Sequence, residues 1–140
     1  MKKESWNSPL FKYVNSIYFI LFIVCVLSIY LTGWVRCNYD IDILNFHLFK
    51  NVKSLDGWFL VHILFYALIG YLYPYSIRLS FLLGCIWELF ELWLGTTKPP
   101  MLSSFGYCGV KKKQFWWYGR FDDIIANIIG LVIGRTLKLR

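Results

Sequence analysis

Apolar residues along this chain fall into four blocks separated by charged stretches and by proline and glycine. Residues 14–35 contain no charge and meet the length of about 20 apolar residues needed to cross the hydrocarbon core. They predict a first membrane span. Residues 57–74, ending at Pro74 before Tyr75, predict a second. Residues 76–94 predict a third, stopped by Gly95-Thr96-Thr97-Lys98-Pro99-Pro100, because proline lacks a backbone donor and restricts the residue before it. Residues 121–136 predict a short fourth span that opens on Asp122-Asp123. Between the first two, Ile41, Leu44, Leu48, Val52 and Leu55 recur at helical spacing. That pattern predicts an interfacial amphipathic helix over residues 36–55, with an ordinary loop as the alternative. Residues 96–120 hold Lys111-Lys112-Lys113 and the aromatic run Phe115-Trp116-Trp117-Tyr118. Aromatic residues of this kind favour the membrane interface, so the segment reads as a re-entrant or surface loop.

Composition sharpens this picture. Hydrophobic residues make up 58% of the chain, aromatic residues 21%, and the mean hydropathy is +0.51. These values exclude an ordinary soluble domain and predict a single multi-pass, all-α integral membrane domain over residues 1–140. The first thirteen residues are polar and basic, with Trp6 and Phe11 as interfacial anchors. The apolar run that follows is longer than a signal-peptide core and lacks a small-residue cleavage site, so it reads as a retained anchor.

The net charge of +7 lies in the polar ends and loops. It therefore argues for topology-setting charge or anionic headgroups and against nucleic acid. Lys and Arg number seven on the side bearing both termini and eight on the other, an even split that leaves orientation open under the positive-inside rule. None of the four cysteines is spaced for metal binding. Cys25 and Cys85 fall inside apolar spans. Cys37 and Cys108 share one side, where an oxidising compartment would bridge them and a reducing one would leave thiols.

The candidate chemistry sits in the third span, where Glu88 and Glu91 interrupt an apolar run. Acids at membrane depth usually face a bundle interior and mark a site, and positions three apart share a helix face. The alternative is a pair of acids satisfied by Trp, Tyr or Arg donors. With four spans, His62 lies roughly 9 Å into the second from the side carrying residues 36–56 and 96–120. Glu88, Glu91 and Asn127 fall at similar depth from that side, with Asp123 one turn above Asn127 on the same face and Tyr66 one turn beyond His62. Glu88, Glu91, Asp122, Asp123 and Asn127 are oxygen donors that favour a hard divalent cation such as Ca²⁺, Mg²⁺ or Mn²⁺ over zinc. Glu88 and Glu91 join His62 as candidate catalytic residues, with His62 available as general base. Arg78, Trp116, Trp117 and Arg120 are candidate headgroup contacts. A metal beside a base just below the headgroups suits chemistry on phospholipid phosphates. In the fourth span Asn127, Gly130 and Gly134 repeat at a spacing that lets another helix approach closely, and a homodimer is one expectation.

The order His62, Cys85-x-Trp87-Glu88-Leu89-x-Glu91-Leu92, Trp116-Trp117, Asp122 and Asn127-x-x-Gly130-x-x-x-Gly134 resembles the core of the mammalian-type phosphatidylserine synthases. The resemblance covers about residues 56–135, and its specific part is the Trp-Glu-Leu-x-Glu-Leu string. It implies a calcium-requiring enzyme of an endoplasmic-reticulum-like membrane that exchanges a phospholipid headgroup for serine. On that pattern His62 is the base, and Glu88, Glu91, Asp122 and Asn127 belong to the metal and headgroup site. The family's chains are several times longer, and Tyr118 stands where an acid follows the Trp pair. A second set, His62-x-x-Phe65-x-x-x-x-Gly70, Glu88 and Gly119-Arg120-x-x-Asp123-Ile124-Ile125-Ala126-Asn127-x-x-Gly130-x-x-x-Gly134, resembles the VanZ-like membrane proteins. These match in length and span count; their usual Glu-x-x-Gln is Glu-x-x-Glu here. That likeness implies a non-enzymatic protein binding a lipid or amphiphile. A small structural subunit whose acids pair with a partner is a third expectation.

Overall fold

The computed structural model describes residues 9–39, 41, 43–44, 46–49, 52–97 and 119–140. The described chain is α-helical: α1 (Pro9–Tyr39), α2 (Gly57–Leu72), α3 (Ile77–Thr97) and α4 (Phe121–Leu139), with a short antiparallel hairpin of β1 (His47–Phe49) and β2 (Val52–Asp56) between α1 and α2. The boundaries of α2, α3 and α4 follow the apolar blocks closely, whereas α1 extends beyond the 14–35 block at both ends. One helix among the described residues is long and apolar enough to cross a membrane, the 21 residues Phe19–Tyr39 within α1, with an 18-residue stretch at mean hydropathy 2.1. α2 is apolar but only 16 residues long.

The interfacial helix expected over residues 36–55 is not what forms. α1 runs on through Tyr39, and the chain then doubles back as the hairpin, His47 opposite Asp56 and Phe49 opposite Val52. A handful of apolar positions is compatible with either period; here tertiary contacts decide. The Gly57 N–H lies 3.0 Å from the Leu44 carbonyl and 3.1 Å from that of Phe46. A Cβ on Gly57 would come within 2.6 Å of the Leu44 oxygen, so only glycine lets the chain fold against the start of α2. Asp56, the last residue of β2, is the N-cap of α2, its carboxylate accepting the Phe59 N–H at 3.0 Å. This satisfies one of the orphan donors of a helix start. The expected aromatic surface loop, with Trp116 and Trp117, lies outside the described residues.

α2 and α4 pack backbone to backbone. A Cβ on Gly130 would lie 2.5 Å from the Ile63 carbonyl oxygen, and one on Gly70 would lie 2.5 Å from that of Leu131. At Gly134 it would collide with the Ala67 carbonyl. Gly130 and Gly134 therefore serve an approach between helices of one chain, the physical role their spacing predicts. In an isolated helix Gly134→Ala would gain up to about 1 kcal/mol. Here the helices must move apart, and the same change is expected to lower stability by about 1–3 kcal/mol, as overpacking does. Thermal unfolding in detergent checks this; a variant melting at or above the parent temperature would contradict the close approach.

Burial across α2, α3 and α4 favours polar and small residues. Ser80, Gly84, Glu88, Asp123, Ala126, Asn127, Gly130 and Gly134 are buried. Leu64, Leu79, Leu82, Leu83, Ile86, Leu89, Val132 and Ile133 are exposed. One apolar cluster closes the hairpin end, where Leu94 of α3 is packed by Ile29 of α1, Trp58 of α2 and Trp87 of α3.

Candidate functional site

The buried polar side chains converge where α2, α3 and α4 meet below the hairpin. His62 stands in the second turn of α2. Its Nδ1 lies 2.9 Å from Oδ1 of Asn127 on α4 and 3.8 Å from Oε1 of Glu88 on α3. An amide oxygen only accepts, so Nδ1–H donates and the lone pair resides on Nε2. Asn127 is 1% exposed, and space beside it exists because position 84 is glycine: a Cβ there would sit 3.1 Å from Asn127 Nδ2 and 2.6 Å from the Tyr66 hydroxyl.

Glu88 and Asp123 are 3% and 4% exposed. Glu88 Oε2 accepts the Arg120 backbone N–H at 3.1 Å. That approach needs Gly119, since a Cβ at that position would collide with the Glu88 carbonyl. The other oxygen of Glu88, Oε1, and Oδ1 of Asp123 are buried without a hydrogen bond among the described residues. A buried acceptor left this way costs about 1–3 kcal/mol, and more when charged. One donor atom each from His62, Glu88 and Asp123 lie within 4.8 Å of one another. Two carboxyl oxygens lacking donors, beside an imidazole, are a donor set that a divalent cation would fit.

Arg120 closes the layer above. Its Nη1 donates to Asp56 Oδ2 at 2.6 Å, and its Nε donates to Asp122 Oδ1 at 3.2 Å; Nη2 takes the second Asp122 oxygen. Asp123 Oδ2 lies 3.8 Å from the same Nε. Burial alone would lower the Arg120 pKa, but the hydrogen bonds to Asp122 and Asp56 outweigh it and hold the guanidinium above its ordinary value. Asp122 and Asp123 occupy the first turn of α4, where the helix dipole favours negative charge.

Of the residues singled out in the sequence, the fold thus brings His62, Glu88, Asp123 and Asn127 together. Glu91 is half-buried one turn further along α3, accepting the Trp87 indole N–H at 2.8 Å. Asp122 faces Arg120 through both oxygens. Arg78 is exposed in the first turn of α3, ten residues from Glu88 and so roughly 15 Å along the axis. Trp116 and Trp117 lie outside the described residues. Asp56 was not anticipated; an acid immediately before an apolar helical block is an N-cap signal that would have exposed it. No family model, curated protein or solved structure matches the chain.

Proposed function

We propose that this chain is a multi-pass membrane protein that exchanges phospholipid headgroups at the His62–Glu88–Asp123–Asn127 site. The observation that carries the reading is a pair of unsatisfied carboxylate oxygens beside an imidazole, inside helices whose outer surfaces are apolar. In water such an arrangement is inside out. In a bilayer, leucine and isoleucine face lipid while polar groups turn inward. α3 and α4 then act as spans although they carry acids, and α2 as a short one.

The chemistry proposed is attack of a small alcohol, serine foremost, on the phosphodiester of a membrane phospholipid. His62, its Nδ1–H held by Asn127, accepts the hydroxyl proton at Nε2. The alcohol oxygen bonds to phosphorus, the bond from phosphorus to the departing headgroup oxygen breaks, and His62 returns the proton to that oxygen. Atoms and charge balance with no further reactant. Glu88 and Asp123 would hold a divalent cation, which when bound supplies Lewis-acid polarisation of the phosphoryl oxygens. Carboxylates alone favour Ca²⁺ or Mg²⁺, and an imidazole alongside them brings Mn²⁺ into contention. Arg120 fixes the start of α4 against α2 and α3, and so holds Asp123 at the site.

The test is incorporation of labelled serine into lipid by purified protein in phospholipid micelles, with Ca²⁺, Mg²⁺, Mn²⁺ or chelator. Metal-dependent label that falls roughly 10²–10⁴-fold in His62→Ala, the usual worth of a general base, supports exchange. No label from folded protein with any small alcohol or divalent ion would sink it, leaving the lipid- or amphiphile-binding role implied by the VanZ-like resemblance.

A further inference from the structure

The charges do not orient this bundle, but the cysteines do. Cys37, in the last turn of α1, is disulfide-bonded, while Cys25 and Cys85, inside α1 and α3, are free thiols. Cys108 lies outside the described residues. Disulfides form and persist in secreted, lumenal and periplasmic environments, and cytosolic thiols are kept reduced. Thiols within apolar helix surfaces carry no such information, since hydrocarbon shields them on either side. The state of Cys37 therefore reports on one end of the molecule.

That end is the one carrying the site. The segment following α1 places the Leu44 and Phe46 carbonyls on the Gly57 N–H at the head of α2. One residue earlier, Asp56 reaches Arg120 at the head of α4, and the Arg120 N–H reaches Glu88 in the second half of α3. The last turn of α1, the hairpin, the starts of α2 and α4 and the second half of α3 thus share one end. His62 and Asp123 lie within two turns of the starts of their helices. The opposite end carries the turn at Tyr75 and the last turn of α4, where Lys138 Nζ sits 5.0 Å over the Tyr71 ring. A cation held on an aromatic face suits a headgroup interface.

We propose that the polar site faces the oxidising, extracytoplasmic side of its membrane, with the α2–α3 turn in the cytosol. Resting on the exchange reading above, its phospholipid then comes from the leaflet on the oxidising side. The attacking alcohol comes from the lumenal, periplasmic or extracellular pool. The cytosolic pool of alcohols and nucleotide-activated lipids has no direct access.

Two reporter cysteines in the full chain test this. Ile43→Cys lies near the hairpin and Tyr75→Cys in the opposite turn, at sites 68% and 88% exposed. Neither touches the polar cluster. In spheroplasts of an expressing bacterium, a membrane-impermeant maleimide is expected to label Ile43→Cys fully and to label Tyr75→Cys only after lysis. Native Cys37 should resist alkylation until a reductant is added. Label on Tyr75→Cys with Ile43→Cys protected before lysis would overturn the proposal. So would alkylation of Cys37 in native membranes without reductant. Serine incorporation plays no part in this readout. A failure of exchange with the labelling pattern intact would remove the substrate assignment and leave the sidedness standing.

Discussion

Arg120→Ala is expected to destabilise the folded bundle by about 3–5 kcal/mol, the usual cost of removing one partner from a buried ion pair. The Arg120 side chain is 15% exposed and binds two elements at once, Asp56 ahead of α2 and Asp122 on α4. Among the described residues, its removal leaves Asp56, itself 6% exposed, with only the Phe59 N–H. That carboxylate must then stay charged and poorly solvated or take up a proton, and either weakens the folded state. The backbone N–H that reaches Glu88 survives the substitution, so the loss isolates the guanidinium. Arg120→Lys is expected to recover only part of it, because one ammonium cannot reproduce the forked contact with two carboxylates. Adding Asp56→Asn to Arg120→Ala should restore stability by removing the stranded charge. Denaturant or thermal unfolding in a fixed detergent measures all three. An alanine variant as stable as the parent would mean that Arg120 does not hold the layer together.

Glu88→Gln is expected to separate stability from function. Glutamine keeps the shape, and its amide oxygen can still accept the Arg120 N–H that Glu88 Oε2 accepts at 3.1 Å. What disappears is the charge behind the unsatisfied Oε1. If the acid serves folding, the variant should be weakened. If it serves a site, folding improves, by about 1–3 kcal/mol for an unsatisfied buried polar atom, while divalent-cation binding and exchange are lost. Such opposition is the ordinary signature of a strained functional group. Calorimetric titration with Mn²⁺ and Ca²⁺, run beside the melting curve, reads both sides. Lower stability with cation binding retained would assign Glu88 to the scaffold. Asp123→Asn should behave alike, because its Oδ1 is also unsatisfied.

Much of the helical frame was legible before any coordinates. The ends of α2 and α3 coincide with Pro74 and with the Gly95–Pro100 stop to within a few residues. The physical reason is that those stops act through local backbone chemistry. The convergence of His62, Glu88, Asp123 and Asn127 at one end was also readable, with Glu91 wrongly grouped beside them, because position along a helix depends only on rise per residue and on which way the chain runs. The hairpin was not. Leu44, Leu48, Val52 and Leu55 fit a helix period, and what overrides it is a contact between Gly57 and the Leu44 and Phe46 carbonyls that no local pattern announces. Nor could spacing separate Glu88 from Glu91. Both lie on one broad face of α3, yet one meets His62 and the other bonds Trp87. The difference turns on Gly84 and Gly119, which admit Tyr66, Asn127 and the Arg120 segment against the helix beside Glu88.

By itself, then, the sequence determined the helical blocks, their breaks, and the polar layer near one end, since hydropathy, proline and glycine act on neighbours along the chain. The tertiary structure alone decided which oxygens are left without donors and that Arg120 binds Asp56 across 64 residues. Those outcomes depend on distances between helices, set by where glycines let backbones touch.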